Sequence, residues 1–310
     1  MPDNQKKFKV PAWVRLLRPA QWLKNGIVPA AWLFAVWDPS QAHAAAGLHG
    51  LIQVFGLAVP AFCLVSSAVY VMNDLHDREA DRMHPQKRFR PIAAGEVSRG
   101  AAIAIMSILL SVGAVFAAYL PKRFGMVLAG YAVMQAAYTF GLKRIPYVDV
   151  FVIAFGFVLR AVAGATAISV RISPWLLLCT FLLSLFLALC KRRHEKLLLD
   201  DSDALHREAL AGYSVNLMDI QIAIAAAATV VSYSIYTLSP ETVQRFGTHC
   251  LGLTIPFVIF GVFRYLELVY RHDGGGRPER VMLTDKIMIA TVAGYLLTVV
   301  AVFTILKGRF

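Results

Sequence analysis

The sequence predicts an all-α integral membrane protein, a single membrane domain over residues 1–310 built from about nine transmembrane helices. Of the 310 residues, 58% are hydrophobic and only 16% are charged, and the mean hydropathy is +0.59. This composition is typical of a polytopic membrane protein rather than of a soluble domain. The apolar residues also fall into segments of roughly 20 residues, the length at which a helix crosses a bilayer.

Nine apolar segments can be placed along the chain. The first is short, so we expect it to be tilted or partly interfacial. An odd number of spans puts the two termini on opposite sides of the membrane. The segments lie near residues 25–37, 49–72, 100–119, 124–141, 148–169, 173–190, 217–238, 248–270 and 285–306.

Residues 1–21 are predicted to form a cytoplasmic leader. Apolar residues such as Trp13 and Leu16 alternate there with Arg15 and Arg18, a pattern that suits a helix lying in the membrane interface. The leader runs directly into the first two apolar segments, so we expect no cleavable signal peptide.

The distribution of positive charge predicts the orientation. The net charge is +12. Counted with Lys24, with Arg264 near the end of the eighth segment and with Lys286 at the start of the ninth, the leader and the loops after the second, fourth, sixth and eighth segments hold 24 of the 31 Lys and Arg residues. The opposite side holds six, and Arg160 lies within a span. The positive-inside rule therefore places the N-terminus and these loops in the cytoplasm. Nucleic-acid binding is the other common reason for such charge, but no basic soluble domain exists to carry it.

The densest polar segment, residues 73–98, has an acidic first part. Asp74, Asp77 and Asp81 are spaced three and four residues apart, which places their carboxylates on one face of a helix. Carboxylates so close together repel each other unless a cation lies among them. Mg²⁺ prefers oxygen ligands and shares them with phosphates.

The second part of this segment is basic. It contains Arg82, Lys87, Arg88 and Arg90, with His84 before Pro85, where the helix is expected to end. An acidic face beside basic residues predicts a metal–diphosphate site with additional phosphate contacts. An ordinary solvated cytoplasmic loop would also carry positive charge, but it would not require the ordered aspartate spacing.

Two ionisable residues occur in the fifth segment. Asp149 and Arg160 are 11 residues apart, about three helical turns or roughly 16 Å on one face. An arginine inside a span is costly and usually marks a cavity or an anion path. The structural alternative pairs Arg160 with a helix carbonyl or a carboxylate, while Asp149 caps its helix or pairs with Lys143.

Two further cytoplasmic loops are predicted, at residues 191–214 and 271–284. The first begins Lys191, Arg192, Arg193, and its DDSD run at 200–203 is expected to be solvated. The second contains a Gly-rich stretch that follows no strand and is therefore no phosphate loop. Asp285 is expected to cap the last helix. The four cysteines lack a CxxC pair and are expected to be free thiols.

The run NDLHDREAD at residues 73–81 resembles the first aspartate motif, NDxxDxxxD, of the UbiA superfamily of intramembrane prenyltransferases. Its continuation, DRMHPQKRFRPIAAG, is similar to the decaprenyl-phosphate phosphoribosyltransferase branch of that superfamily. That branch moves phosphoribose from phosphoribosyl pyrophosphate to a polyprenyl phosphate. The similarity extends from Arg18 almost to the C-terminus, and it implies a UbiA-type bundle around a cavity that faces the cytoplasm.

The resemblance assigns roles to individual residues. Asp74, Asp77 and Asp81 would be catalytic and, with Asn73, would hold Mg²⁺, or alternatively Mn²⁺. The implied substrate-binding residues are Lys24, Asn73, Arg82, His84, Lys87, Arg88, Arg90, Arg160, Lys191, Arg192, Arg264 and Tyr265. For Lys24, snorkelling to the interface is the alternative.

Two positions depart from the patterns of the superfamily. Aromatic prenyltransferases carry a second DxxxD motif where this chain has Lys191, Arg192 and Arg193, and cations there suit a second phosphorylated ligand. The run FRYLELV, which contains Arg264 and Tyr265, is similar to FRYLYLV in the phosphoribosyltransferase branch, with Glu267 in place of a tyrosine.

The resemblance thus implies a Mg²⁺-dependent membrane transferase that acts on phosphoribosyl pyrophosphate and a polyprenyl phosphate lipid and releases pyrophosphate. It would work from the cytoplasmic side of a bacterial inner membrane, supply arabinose-containing cell-envelope glycans, and bind no nucleic acid. Homo-oligomerisation stays open. A UbiA-type aromatic prenyltransferase and an anion transporter are the alternatives. A CDP-alcohol phosphotransferase requires a run of aspartates and glycines that this chain lacks.

Overall fold

The computed structural model describes residues 10–45, 47–84, 87–200, 212–271, 281 and 284–306. These residues are helical nearly throughout, and no strand occurs among them. The Gly-rich stretch at 274–276 and the C-terminal Phe310 lie outside the described residues, as does most of the DDSD run. All nine predicted segments are helical, which confirms the all-α prediction.

The first third of the chain contains short helices before its first long one. Helix α1 spans Ala12–Leu17, and a 3-10 helix spans Pro19–Ile27. Helices α2 (Ala30–Trp37), α3 (Ala42–Ala45) and α4 (Gly47–Leu51) follow. A π-helical stretch, Ile52–Ala58, then leads into α5.

Eight long helices and two short ones, α6 and α12, follow in the described part of the chain. The boundaries are α5 Val59–His76, α6 Arg78–Met83, α7 Arg99–Ala118, α8 Lys122–Phe140, α9 Val148–Ala167, α10 Pro174–Asp200, α11 Val215–Leu238, α12 Pro240–Phe246, α13 Ile255–Arg271 and α14 Lys286–Ala301. Two 3-10 turns, Lys87–Phe89 and Leu142–Arg144, lie in the loops after α6 and α8.

Seven of the described helices are long and apolar enough to cross a membrane. Two of the nine predicted spans are not among them. Segment 25–37 consists of the end of the 3-10 helix and the eight-residue α2, which agrees with the expectation of a short first span. Helix α8 has 19 residues, about 28 Å of helix, but a less apolar sequence.

Two clusters of buried residues form the interior. One lies where α5, α8 and α9 meet and is centred on Phe62, Phe124 and Tyr131. The other lies between α10, α11, α13 and α14, around Phe186 and Ile222. Helix α9 contributes to both clusters, so it joins the two halves of the bundle.

Large apolar side chains cover much of the outer surface. Only 17% of the apolar stretch of α7 is buried inside the protein. Val133, Phe263 and Leu297 are exposed on other helices. A soluble protein does not expose so much contiguous apolar surface, whereas a surface that faces lipid requires it.

Candidate active site

The aspartate segment follows a helix with a kink at Asp77. Helix α5 ends at His76, α6 begins at Arg78, and Asp77 between them has φ −86° and ψ 6°. Its N–H still donates to the Asn73 carbonyl at 2.9 Å, so the helical direction continues. The three carboxylates nevertheless have two different environments, since Asp74 and Asp81 contact Arg90 and Asp77 contacts Lys143.

Asp74 and Asp81 form the inner pair of carboxylates. Both are buried, and both accept from Arg90 Nη1, at 3.0 Å for Asp74 Oδ1 and 2.6 Å for Asp81 Oδ2. Arg18, from the junction after α1, also pairs with Asp74. Burial raises the pKa of the Asp81 carboxyl, although Arg90 acts to lower it. Two carboxylates and two guanidinium groups therefore make a compact, formally neutral cluster.

Asp77 faces a different cation. Lys143, in the 3-10 turn after α8, places Nζ 2.5 Å from Asp77 Oδ1, and Asn73 Nδ2 donates to Asp77 Oδ2 at 3.1 Å. The Asp77 side chain is 26% exposed, against 2% for Asp74. Pairing of Asp149 with Lys143, one of the alternatives for Asp149, does not occur, since the turn after α8 brings Lys143 to the aspartate segment instead.

The basic residues after α6 divide into inward and outward groups. Arg90 points to the aspartates, whereas Arg88 is exposed and stacks on the Phe89 ring at 4.9 Å. Lys87 is half-buried, and its backbone N–H donates to His84 Nδ1 at 3.3 Å. Arg82 donates to the Ala93 carbonyl at 3.2 Å and pairs with Glu79. Pro85 lies outside the described residues.

A second buried network lies at the start of α9. Asp149 is 1% exposed and pairs with Arg192 of α10, with a 2.5 Å distance from Nε to Oδ2. Arg192 also reaches Glu195 and the Tyr138 hydroxyl. Tyr213, just before α11, donates from its hydroxyl to Asp149 Oδ1 at 2.6 Å.

The basic run of α10 is therefore not a uniform exposed rim. Arg192 is buried, and Arg193 pairs with Asp219 and lies 4.1 Å from the centre of the Tyr270 ring. Lys191 is half-buried. The sequence predicted that a helix ends before these residues, but α10 continues through them to Asp200, and two of the three cations hold acidic partners from neighbouring helices.

Arg160 lies inside the first cluster of buried residues. Its Nε donates to Asn25 Oδ1, its Nη1 to the Gly156 carbonyl and its Nη2 to the Tyr131 hydroxyl, each at 2.8 Å. The structural alternative, pairing with a helix carbonyl, is thus confirmed for one of its three nitrogens. Lys24 precedes Asn25 on the 3-10 helix and is half-buried.

Arg264 and its neighbours join α13 to α14. Arg264 pairs with Glu267 and Asp285, both at 2.8 Å, which gives the unexpected Glu267 a partner. Asp285 accepts from the Met288 N–H at 2.8 Å, so its predicted capping role is confirmed. Arg264 and this N–H lower the pKa of the Asp285 carboxyl. Tyr265 is buried against Phe186.

The oxygen ligands of the aspartate segment fit a hard divalent cation. Among the described residues, no three acidic, imidazole or thiol side chains converge on one point, but Asp74 and Asp81 converge on a single nitrogen of Arg90. Mg²⁺ is commonly bound by one or two carboxylates together with phosphates and water. The inner pair of carboxylates suits that mode, in which the substrate supplies the remaining ligands.

Residues 27–283, more than three quarters of the chain, match the UbiA prenyltransferase family. The chain belongs to this family. Its aspartate segment, α9 and the basic run of α10 all fall inside the matched region. Family membership agrees with the all-α bundle and with the aspartate motif at residues 73–81.

Two curated relatives of the UbiA family cover almost the whole chain. The decaprenyl-phosphate phosphoribosyltransferase of Corynebacterium glutamicum is 36% identical over 310 residues, which cover 97% of this chain and 91% of that protein. The protein of the same name from Mycolicibacterium smegmatis is 34% identical, over 91% of this chain and 89% of its own length.

Solved UbiA structures share the fold. A UbiA homolog from Archaeoglobus fulgidus, bound to GPP and Mg²⁺, superposes with a TM-score of 0.69 at 19% identity, and the match covers 95% of this chain and all of that one. At this identity the likeness establishes the fold alone.

Sequence reasoning missed three residues of the site. Arg18, Lys143 and Tyr213 contact the aspartates across sequence separations of 56, 66 and 64 residues. Each lies just outside a predicted span, beside a proline, a glycine-containing turn or a loop. A basic or aromatic residue at a span end is the only local signal, and it does not identify the partner.

Proposed function

We propose that this protein transfers 5-phosphoribose from phosphoribosyl pyrophosphate to a polyprenyl phosphate and releases pyrophosphate. One observation carries the proposal: the buried carboxylates of the aspartate segment lie among cations, and relatives that share a third of the sequence along nearly the whole chain are named for this transfer. Acidic ligands hold a metal on a diphosphate, and cations hold the additional phosphates of both substrates.

Asp74 and Asp81, together with Asp77 and Asn73, would hold Mg²⁺, and Mn²⁺ would replace it. When bound, the metal neutralises charge on the diphosphate, which leaves as pyrophosphate. Lys143 and Arg90 already lie against these carboxylates at 2.5 and 2.6 Å. They are therefore placed to stabilise the negative charge that develops on the leaving group.

The acceptor needs little activation from the protein. A lipid phosphate is already anionic, so its oxygen attacks carbon 1 of the ribose without a strong general base. What the protein must supply is position and charge neutralisation. Lys24, Lys87, Arg88 and Lys191 are the cations that we assign to the 5-phosphate and the lipid phosphate.

Arg192, Arg160, Arg264 and Tyr265 were predicted to bind substrate. Their observed partners are protein groups, namely Asp149 and Glu195 for Arg192, and Glu267 and Asp285 for Arg264. We assign these residues to positioning the helices that line the site.

The proposed orientation places the site on the cytoplasmic face of a bacterial inner membrane. It rests on the excess of Lys and Arg in the leader and in the loops that carry the aspartates and Lys191. Soluble phosphoribosyl pyrophosphate and Mg²⁺ are available on that side. The lipid product would be a precursor for arabinose-containing envelope glycans.

The test is a reaction with purified protein and labelled phosphoribosyl pyrophosphate. With polyprenyl phosphate and Mg²⁺ we expect a lipid-extractable labelled product and release of pyrophosphate. Chelator should stop both, and added Mg²⁺ should restore them. A prenylated product from a prenyl diphosphate and 4-hydroxybenzoate, without lipid-linked ribose, would contradict the proposal and support an aromatic prenyltransferase. Transport of anions without turnover would support a transporter.

A further inference from the structure

A groove lies at Arg18, the residue that pairs with Asp74. It is a largely open depression of about 670 Å³ along α1 and the start of the following 3-10 helix. Apolar side chains form most of its wall, and two arginines stand among them. The residues that matter here are Val10, Val14, Pro19, Ala20, Arg15 and Arg18.

Arg18 belongs to both the groove and the aspartate cluster. It adopts φ 51° and ψ 57°, a left-handed conformation that is uncommon for a non-glycine residue, and this ends α1 and starts the 3-10 helix. Arg18 is one of the residues that line the groove, and its guanidinium lies 5.1 Å from the centre of the Tyr70 ring and pairs with Asp74. Arg18 is thus the one described residue that contacts an inner aspartate and also lines this groove.

The charges of the cluster limit what can bind there. Asp74 accepts from Arg18 and Arg90, and Arg90 also holds Asp81 at 2.6 Å. When Asp74 and Asp81 hold the metal, Arg90 lies beside the diphosphate, whose negative charge it is proposed to stabilise, whereas Arg18 loses its carboxylate partner. Among the described ion pairs, Arg18 has no carboxylate other than Asp74. Its side chain is only 24% exposed, so an unpaired guanidinium there would be costly.

We propose that Arg18 exchanges Asp74 for the phosphate of the polyprenyl acceptor, so that occupation of the aspartates by the metal and diphosphate strengthens lipid binding in the groove. This inference rests on the proposed function. A guanidinium binds a phosphate through two parallel hydrogen bonds, and the apolar wall suits the first isoprene units. Because coupling between two sites is reciprocal, bound lipid should strengthen metal–diphosphate binding by the same factor.

The experiment measures equilibrium binding without turnover. Full-length protein in detergent is titrated with radiolabelled farnesyl phosphate, alone and in the presence of Mg²⁺ and pyrophosphate. For the parent protein we expect Mg²⁺ and pyrophosphate together to lower the Kd for farnesyl phosphate by about 10-fold, within the usual range for coupled sites.

Two variants should move binding in opposite directions. Arg18→Gln should weaken farnesyl phosphate binding about 10-fold and abolish its dependence on Mg²⁺ and pyrophosphate. Asp74→Asn weakens the hold on Arg18, so it should tighten binding in the absence of metal and also abolish the dependence. A purely structural role for the pair would weaken binding in both variants.

Matched variants separate this mechanism from general electrostatics. Arg15→Gln removes the other arginine of the groove, and Arg99→Gln breaks an exposed ion pair with Glu79. In both variants, farnesyl phosphate binding should still depend on Mg²⁺ and pyrophosphate. Equal coupling in Arg18→Gln and the parent protein would overturn the inference and leave the proposed function intact. Equal competition by phosphatidylglycerol would overturn the choice of a polyprenyl phosphate as occupant. A parent protein that forms no lipid-linked ribose would instead refute the function.

Discussion

Arg192 and Asp149 form an ion pair in the protein interior. The side chains are 3% and 1% exposed, and the Arg192 Nε to Asp149 Oδ2 distance is 2.5 Å. The pair joins α10 to the start of α9, and Tyr213, just before α11, adds a hydrogen bond to Asp149. Arg192, in the basic run of α10, therefore belongs to a structural network that joins α9 and α10.

Breaking this pair should destabilise the fold. Arg192→Met leaves a buried carboxylate without its cation, a change that typically costs about 3–5 kcal/mol. We expect a clearly lower melting temperature in detergent. The double variant Asp149→Leu, Arg192→Met should lower the melting temperature by less than the sum of the two single variants. Arg99→Gln, which breaks an exposed ion pair, should lower it little. A stable Arg192→Met protein with weakened substrate binding would instead support direct phosphate contact.

Asp77 should be needed for turnover but not for folding. Asp77→Asn removes an anionic ligand and the charge opposite Lys143, while it keeps the size of the side chain. We expect activity to fall by about 100-fold or more, with the melting temperature nearly unchanged because Asp77 is partly exposed. Glu79→Gln, two residues further along and 66% exposed, is the matched control. Unchanged activity in Asp77→Asn would remove this carboxylate from the metal site.

The opposite end of the protein carries a pH-dependent network around Asp38. Burial opposes ionisation of Asp38, but hydrogen bonds from Ser40, Gln41 and Arg245 outweigh it and lower the pKa of this carboxyl to about 2. An aspartate in an unfolded chain has a pKa near 3.9. The ionised carboxylate therefore stabilises the fold above about pH 4, and this contribution is lost as the pH falls towards 2.

Asp38→Asn should accordingly melt below the parent protein at pH 7, and the gap should narrow as the pH falls below about 4. Melting curves in detergent between pH 3 and pH 7 measure this. Arg245→Gln removes the cation that lies 2.5 Å from Asp38 Oδ2 and should shift the transition of the network to higher pH. If the difference in melting temperature between Asp38→Asn and the parent protein did not change with pH, the lowered pKa of Asp38 would be contradicted.

Gly164 allows α9 to pass close to the start of the chain. A Cβ atom at Gly164 would lie 1.8 Å from the Val28 carbonyl oxygen, a backbone atom that cannot move aside cheaply. Gly164→Ala should therefore destabilise the protein by about 1–3 kcal/mol or more. At Gly130 of α8 a Cβ meets nothing within 4 Å, so Gly130→Ala should stabilise by roughly 0.5–1 kcal/mol. Similar melting temperatures for the two variants would contradict this close approach.

Cysteine labelling in intact cells tests the orientation. In a background without the four native cysteines, Arg88→Cys should stay unlabelled by a membrane-impermeant maleimide, because the charge asymmetry places it in the cytoplasm. Tyr119→Cys, exposed at the far end of α7, should be labelled. Labelling of position 88 in sealed cells would reverse the orientation and separate the site from its soluble donor.

The sequence by itself determined the fold class, the helical segments and the position of the aspartate motif. Apolar segments long enough to cross a bilayer must satisfy their backbone hydrogen bonds within a helix, so composition and segment length are sufficient to predict that pattern. Three ordered carboxylates followed by arginines and lysines likewise indicate metal and phosphate chemistry without any knowledge of packing.

Only the tertiary structure decided which cation serves which carboxylate. Arg18, Lys143 and Arg192 find partners more than 40 residues away, through the kink at Asp77 and the packing of α8, α9 and α10. A buried charge must be paired wherever the fold places it, and sequence spacing does not reveal which helix ends meet. Because of the same packing, Arg192, which was predicted to contact a phosphate, pairs with Asp149 instead.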